Sequence, residues 1–104
     1  MDIEILYFKG CPSWQTAREH LRQALDRLGL DAEIGLVRIE TPEEAVEARF
    51  VGSPTIRMGG RDLFPVDQED YALGCRVYAT PNGLRGWPTV EMIEKALRRE
   101  VERL

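Results

Sequence analysis

The stretch from Ile3 to Trp14, Ile-Glu-Ile-Leu-Tyr-Phe-Lys-Gly-Cys-Pro-Ser-Trp, constrains the fold of this chain more than any other. Ile3, Ile5 and Tyr7 alternate with Leu6 and Phe8 along a pleated strand, so both faces are largely apolar and the strand belongs inside a sheet. Gly10 lets the backbone turn, and Pro12 suits the first position of a helix, which makes Cys11 the expected N-cap. The sulfur is then expected among backbone N–H groups without an intrahelical partner, at the positive end of the helix dipole. Such surroundings favour thiolate over thiol, and comparable sites lower a cysteine pKa from about 8.5 to roughly 3.5–7.5. The competing reading is a buried, inert cysteine at a strand end, acting as a small hydrophobe.

Beyond this turn, Trp14, Ala17, Leu21, Ala24, Leu25 and Leu28 recur at helical spacing, and Gly29 closes the helix. Ala32, Ile34, Leu36, Val37 and Ile39 mark a second strand whose alternation changes phase near Gly35, as a bulge or burial on both faces would allow. Strand, helix and strand in this order imply a parallel pair with a crossover. Thr41, Pro42 and Glu44 spell the start of a short helix ending near Arg49. Thr55 to Met58 and Arg61 to Phe64 then flank Gly59-Gly60, a pair suited to a two-residue hairpin turn. From Pro65 to Pro88 the pattern weakens, and only Cys75 to Ala79 reads as locally extended. A connection of that length inside a compact domain is more often functional than incidental. Val90, Ile93, Leu97, Val101 and Leu104 form the apolar stripe of a final helix.

A length of 104 residues fits one domain, 1–104, able to bury a single core. Fourteen basic residues against eighteen acidic ones give a net charge of −4, and the basic residues are scattered, so no nucleic-acid partner is expected. No apolar run approaches the roughly 20 residues needed to span a bilayer, so no membrane partner is expected either. The acidic start Met-Asp-Ile-Glu enters a strand at once, without the basic start and apolar core of a signal peptide, and points to the cytoplasm. There, two cysteines are more often reactive or metal-binding than a permanent staple.

The order β-α-β-α-β-β-α, with Gly10-Cys11-Pro12-Ser13-Trp14 at the first strand-to-helix turn and Val51-Gly52-Ser53-Pro54-Thr55 entering the third strand, resembles the thioredoxin superfamily. The resemblance spans most of the chain and is nearest to small bacterial thioredoxin-like proteins, some of them selenoproteins. It implies an α/β fold with a four-stranded mixed sheet, helices on both faces, and an insertion before the last helix. It also implies that Cys11 is the attacking thiol, that Pro54 is a cis proline lying against it, and that the preceding backbone at Ser53 pairs with an extended substrate. The chain departs from the family where a second cysteine is usual three residues on, because that position is Trp14. The other cysteine of the chain, Cys75, lies in the insertion.

Around these residues several readings stand. Cys75 is a resolving thiol that the insertion brings over Cys11, or a small buried residue at a strand start; Arg76 beside it could supply the charge that favours a thiolate. Trp14 reads as a core or lid residue shielding one side of Cys11, and Tyr7 as a strand residue whose hydroxyl could reach the cysteine turn. His20, the sole histidine, is expected at the surface of the first helix. Asp62, Asp67, Glu69 and Asp70 read as a solvated acidic face rather than a cation site. No glycine-rich phosphate loop or dinucleotide fingerprint is present, and no cofactor is expected. The first functional expectation is a thiol-dependent oxidoreductase that acts on a protein or small-molecule disulfide or a peroxide. The second is a protein that holds a soft ion such as Hg(II), Cu(I) or an arsenic species between Cys11 and Cys75. The third is a non-catalytic interaction module.

Overall fold

In the computed structural model, which describes residues 2–67 and 70–103, the chain is a mixed α/β protein. The described residues form a four-stranded mixed sheet, a separate two-stranded hairpin and three helices. The strand β1 (Ile3–Tyr7) lies between β2 (Ile34–Arg38) and β3 (Thr55–Met58), and β4 (Arg61–Asp62) closes the far side, in the order β2-β1-β3-β4. β1 runs parallel to β2 and antiparallel to β3, with Ile5 opposite Leu36 on one side and Ile56 on the other. Cores on both faces of the sheet explain why β1 carries apolar residues on both sides.

The two faces of β1 open into two cores. Ile3 and Ile5 face the larger one, which α1 (Ser13–Arg27) and α3 (Val90–Glu102) cover with Leu21, Ala24, Leu25, Ile93, Ala96 and Leu97. Leu6 faces the smaller one, with Ile39, Ala45 of α2 (Pro42–Glu47) and Phe50. α2 begins as its sequence suggests: Thr41 is the N-cap and its hydroxyl accepts a hydrogen bond from the Glu44 N–H at 3.1 Å, with Pro42 next in line. α3 is capped in the same way by Thr89 on the Met92 N–H at 3.1 Å. Leu104, expected on the stripe of α3, lies outside the described residues. Gly59 and Gly60 both take positive φ, +59° and +81°, which the tight turn between β3 and β4 requires.

Three features differ from what the sequence suggests, and the insertion adds a fourth that the sequence leaves open. The register of β1 with β2 runs without interruption from Ile3–Ile34 to Tyr7–Arg38, and β2 is an edge strand with Leu36 exposed, so Gly35 marks neither a bulge nor burial on both faces. The first helix starts one residue late, with Pro12 as N-cap, because the Cys11 N–H turns back to the Phe8 carbonyl at 3.0 Å. His20 is half-buried rather than at the surface: its Nδ1 lies 2.8 Å from the Pro88 carbonyl oxygen, which can only accept, so Nδ1 carries the proton and ties α1 to the entrance of α3. The insertion contains structure the sequence pattern did not announce, a hairpin of β5 (Tyr78–Thr80) and β6 (Gly83–Arg85) closed over Pro81-Asn82.

Candidate functional site

The site forms where the end of β1, the loop entering β3 and the insertion converge. Cys11 follows the Phe8–Cys11 turn, and its side chain packs inward, leaving the residue only 2% exposed. Its sulfur lies 3.8 Å from the Ser53 carbonyl oxygen. The Ser53-Pro54 bond is cis, and Ser53, Pro54 and Thr55 are all buried. Cys11 and Cys75 are joined in a disulfide, with Cα atoms 5.8 Å apart across a sequence separation of 64. Unlike Cys11, Cys75 is exposed.

Backbone pairing brings Cys75 to this place. The Ser53 N–H donates to the Gly74 carbonyl and the Arg76 N–H donates to the Ser53 carbonyl, each at 2.8 Å, making a parallel bridge between Ser53 and Cys75. The Ser53 backbone, expected to pair with an extended substrate, therefore pairs with the insertion of its own chain. Gly52 makes the approach feasible. It sits at φ +121°, and a Cβ there would lie 2.9 Å from the Cβ of Arg76. The Ser53 hydroxyl is buried and has no hydrogen-bond partner among the described residues.

Arg76 fixes the insertion from below. It is 6% exposed, and its guanidinium donates to Asp62 at 2.8 Å, to the Thr55 hydroxyl at 3.3 Å and to the Phe64 carbonyl. Asp62 in turn accepts from the Phe64 N–H at 2.8 Å. Both partners of the pair are thus held by further hydrogen bonds, which a buried charge requires. The positive charge expected to act on the Cys75 sulfur is committed instead to Asp62. Next along the chain, Tyr78 packs its ring 4.6 Å below the Arg76 guanidinium carbon and edge-on to Phe64, and its hydroxyl donates to the Pro54 carbonyl at 2.5 Å. Burial pushes the Tyr78 phenol pKa well above its ordinary value, an effect that Arg76 partly opposes and Asp62 reinforces.

The sequence left Tyr78 and Asp62 without a role at this site. Period-two alternation in this stretch points the other way: the apolar Val77 and Ala79 are exposed while Arg76 and Tyr78 are buried, and for Asp62 the sequence carries no signal. Trp14 is half-buried and stacks on Tyr7 with ring centroids 4.4 Å apart, so these two aromatic residues partner each other at the start of α1. Among the described residues no group of three or more His, Cys, Asp or Glu side chains is placed to hold a metal ion, and Glu69 lies outside them. No helix of the described residues is long and apolar enough to cross a membrane.

Comparison with known proteins finds no matching family model, no matching curated protein and no matching solved structure.

Proposed function

We propose that this chain is a thiol–disulfide oxidoreductase of thioredoxin-like fold whose redox couple is Cys11 and Cys75. The observation that supports it is the junction itself: two cysteines 64 residues apart are joined over a Cα separation of 5.8 Å at the cis-proline loop, with one sulfur-bearing residue buried and the other exposed. That separation lies inside the range of about 4.4–6.8 Å that a disulfide spans without backbone movement. The strand-to-helix turn carrying Cys11 and the Ser53-Pro54 loop beside it are the two elements on which the resemblance rests.

A working couple must survive opening as well as closing. The insertion is fastened by the Ser53 backbone pairing and by Arg76 and Tyr78, none of which depends on the S–S bond. The reduced thiols therefore stay adjacent, and closure remains intramolecular at a high effective concentration. Exchange proceeds through a mixed disulfide, in which one cysteine is bonded to the partner and the other releases it.

The test is an equilibrium titration of the protein against mixtures of reduced and oxidised glutathione, with free thiols capped and mapped by mass. The expected result is one two-electron transition between a monomer with two free thiols and a monomer with the Cys11–Cys75 bond, with the circular dichroism of the fold kept at both ends. Dimers linked between chains, or loss of the fold on reduction, would refute the reading. Turnover assays of the reduced protein with a disulfide-bonded polypeptide and with hydrogen peroxide then decide which electrophile it serves.

A further inference from the structure

We propose that Cys75 is the sulfur through which the couple exchanges with its partners, and that Cys11 is the resolving sulfur. This rests on the redox reading above and reverses the roles that the resemblance implies for the two cysteines. Thiol–disulfide exchange requires the attacking thiolate to approach along the S–S axis, from the side opposite the leaving sulfur, so access decides which sulfur is attacked. Cys11 is 2% exposed, with its sulfur 3.8 Å from the Ser53 carbonyl oxygen. A thiolate aimed at Cys11 would have to arrive through the protein interior. Cys75 is exposed, and the residues that alternate with it along the chain, Val77 and Ala79, are exposed as well.

The start of α1 bears on the charge that appears when the bond opens. Cys11 stands one residue before the N-cap of α1, and that N-cap is Pro12, which gives the first turn no side-chain hydrogen bond. The positive end of the helix is thus uncapped next to the sulfur on which negative charge appears when the bond opens. A thiol whose thiolate is stabilised departs faster. The Cys75 sulfur, bonded to that of Cys11, lies beside the same helix start, so access and not the helix dipole is what separates the two.

A partner thiolate, RS⁻, attacks the Cys75 sulfur; the new R–S–S–Cys75 bond forms, the Cys11–Cys75 bond breaks, and its electron pair leaves on Cys11. A second thiolate of the same partner or of another molecule attacks the partner sulfur of the mixed disulfide, forming RSSR and releasing Cys75 as thiolate. Two thiols have been oxidised to one disulfide, the protein has gained two electrons, and the two protons lost by the partner thiols end on Cys11 and Cys75. In the opposite direction, Cys75 attacks a partner disulfide and Cys11 then attacks Cys75, restoring the bond and expelling the partner's second thiolate. Bridging of Ser53 to Gly74 and Arg76 keeps Cys75 within reach of Cys11 through both steps.

Two measurements test the assignment. The fully reduced wild-type protein is treated with substoichiometric iodoacetamide and the single label is mapped; Cys75 is expected to carry it about tenfold or more over Cys11. Then Cys11→Ser and Cys75→Ser, each checked for its fold by circular dichroism, are mixed with oxidised glutathione. Cys11→Ser should form a lasting mixed disulfide about tenfold or more faster than Cys75→Ser. Preferential labelling of Cys11, or faster glutathionylation of Cys75→Ser, would overturn the proposal while leaving the redox couple intact. Reversible opening of the bond in the glutathione titration keeps the two failures apart: if that bond never exchanges in the folded protein, the redox reading falls and this assignment falls with it.

Discussion

Two regions of this molecule are held together by different means. The face under α1 and α3 is closed by many apolar contacts: Ile3, Ile5, Leu21, Leu25, Ile56, Ile93 and Leu97 are all essentially inaccessible to water. Each such side chain contributes about 1.5–3 kcal/mol by leaving water. No single one decides the outcome, and none responds to pH or redox state. The insertion after β4 buries far less. Val77 and Leu84 are 65% and 67% exposed, and the segment is fastened by a few discrete ties: the Cys11–Cys75 bond, the backbone bridge to Ser53, the Arg76–Asp62 pair and the Tyr78 hydroxyl. A region fastened in this way can be loosened one tie at a time, which is what a reversible covalent switch needs of its surroundings.

The largest effect expected is from the covalent tie. A disulfide closing a loop with a sequence separation of 64 restricts the unfolded chain by about 4 kcal/mol in the chain-entropy account. Denaturant unfolding with and without reductant should show a loss of that order. Native-state hydrogen exchange sharpens the contrast. On reduction the amides of β5 and β6 should open more readily, while those of α1 and α3 should exchange only through global unfolding. If α1 and α3 instead lost protection by local opening together with the hairpin, the two regions would be one cooperative unit and the comparison would fail.

The ionic tie comes next. Asp62→Ala leaves the Arg76 guanidinium 6% exposed with only neutral acceptors at Thr55 and Phe64, and breaking one side of a buried pair destabilises by about 3 kcal/mol. Adding Arg76→Met to Asp62→Ala removes the stranded charge and should recover a good part of that loss. Urea midpoints of the two single variants and the double variant give the coupling directly. Additive losses, with no recovery, would mean that the pair is not what holds the insertion.

Much of the sheet and of the helices was legible because their signals are local. Alternation in β1, spacing in α1 and α3, the threonine cap at Thr41, and the Gly59-Gly60 turn all act over a few residues. The insertion was not legible because its organisation is long-range. β5 and β6 have three residues each, β6 is exposed throughout, and what orders them is a bridge to Ser53 and an ion pair to Asp62, neither of which leaves a periodic trace. Cys11 stood out as a candidate site from its place after a strand and before a proline. Which cysteine faces solvent was not readable, since it depends on the Phe8–Cys11 turn packing one sulfur inward and on the alternation around Arg76 placing the other outward.

The smallest tie gives the sharpest test, because it can be read as a slope. Tyr78→Phe removes the hydrogen bond to the Pro54 carbonyl but keeps the ring against Arg76 and Phe64, so near neutral pH it should cost about 1 kcal/mol. The alkaline limb carries the further information. Burial raises the Tyr78 pKa in the folded state, so the folded protein keeps the phenolic proton at pH values where the unfolded chain, with its ordinary pKa of about 10, releases it. The stability tied to that proton is fully present below about pH 10 and falls as the pH rises toward the folded-state pKa. Unfolding of the oxidised protein, followed between about pH 8 and 11, should therefore show a decline that Tyr78→Phe lacks, and the two stability curves should converge as the pH rises. Parallel curves would mean that the phenol ionises as easily in the folded protein as in the unfolded chain, and the hairpin would then rest on the disulfide, the Ser53 bridge and Arg76.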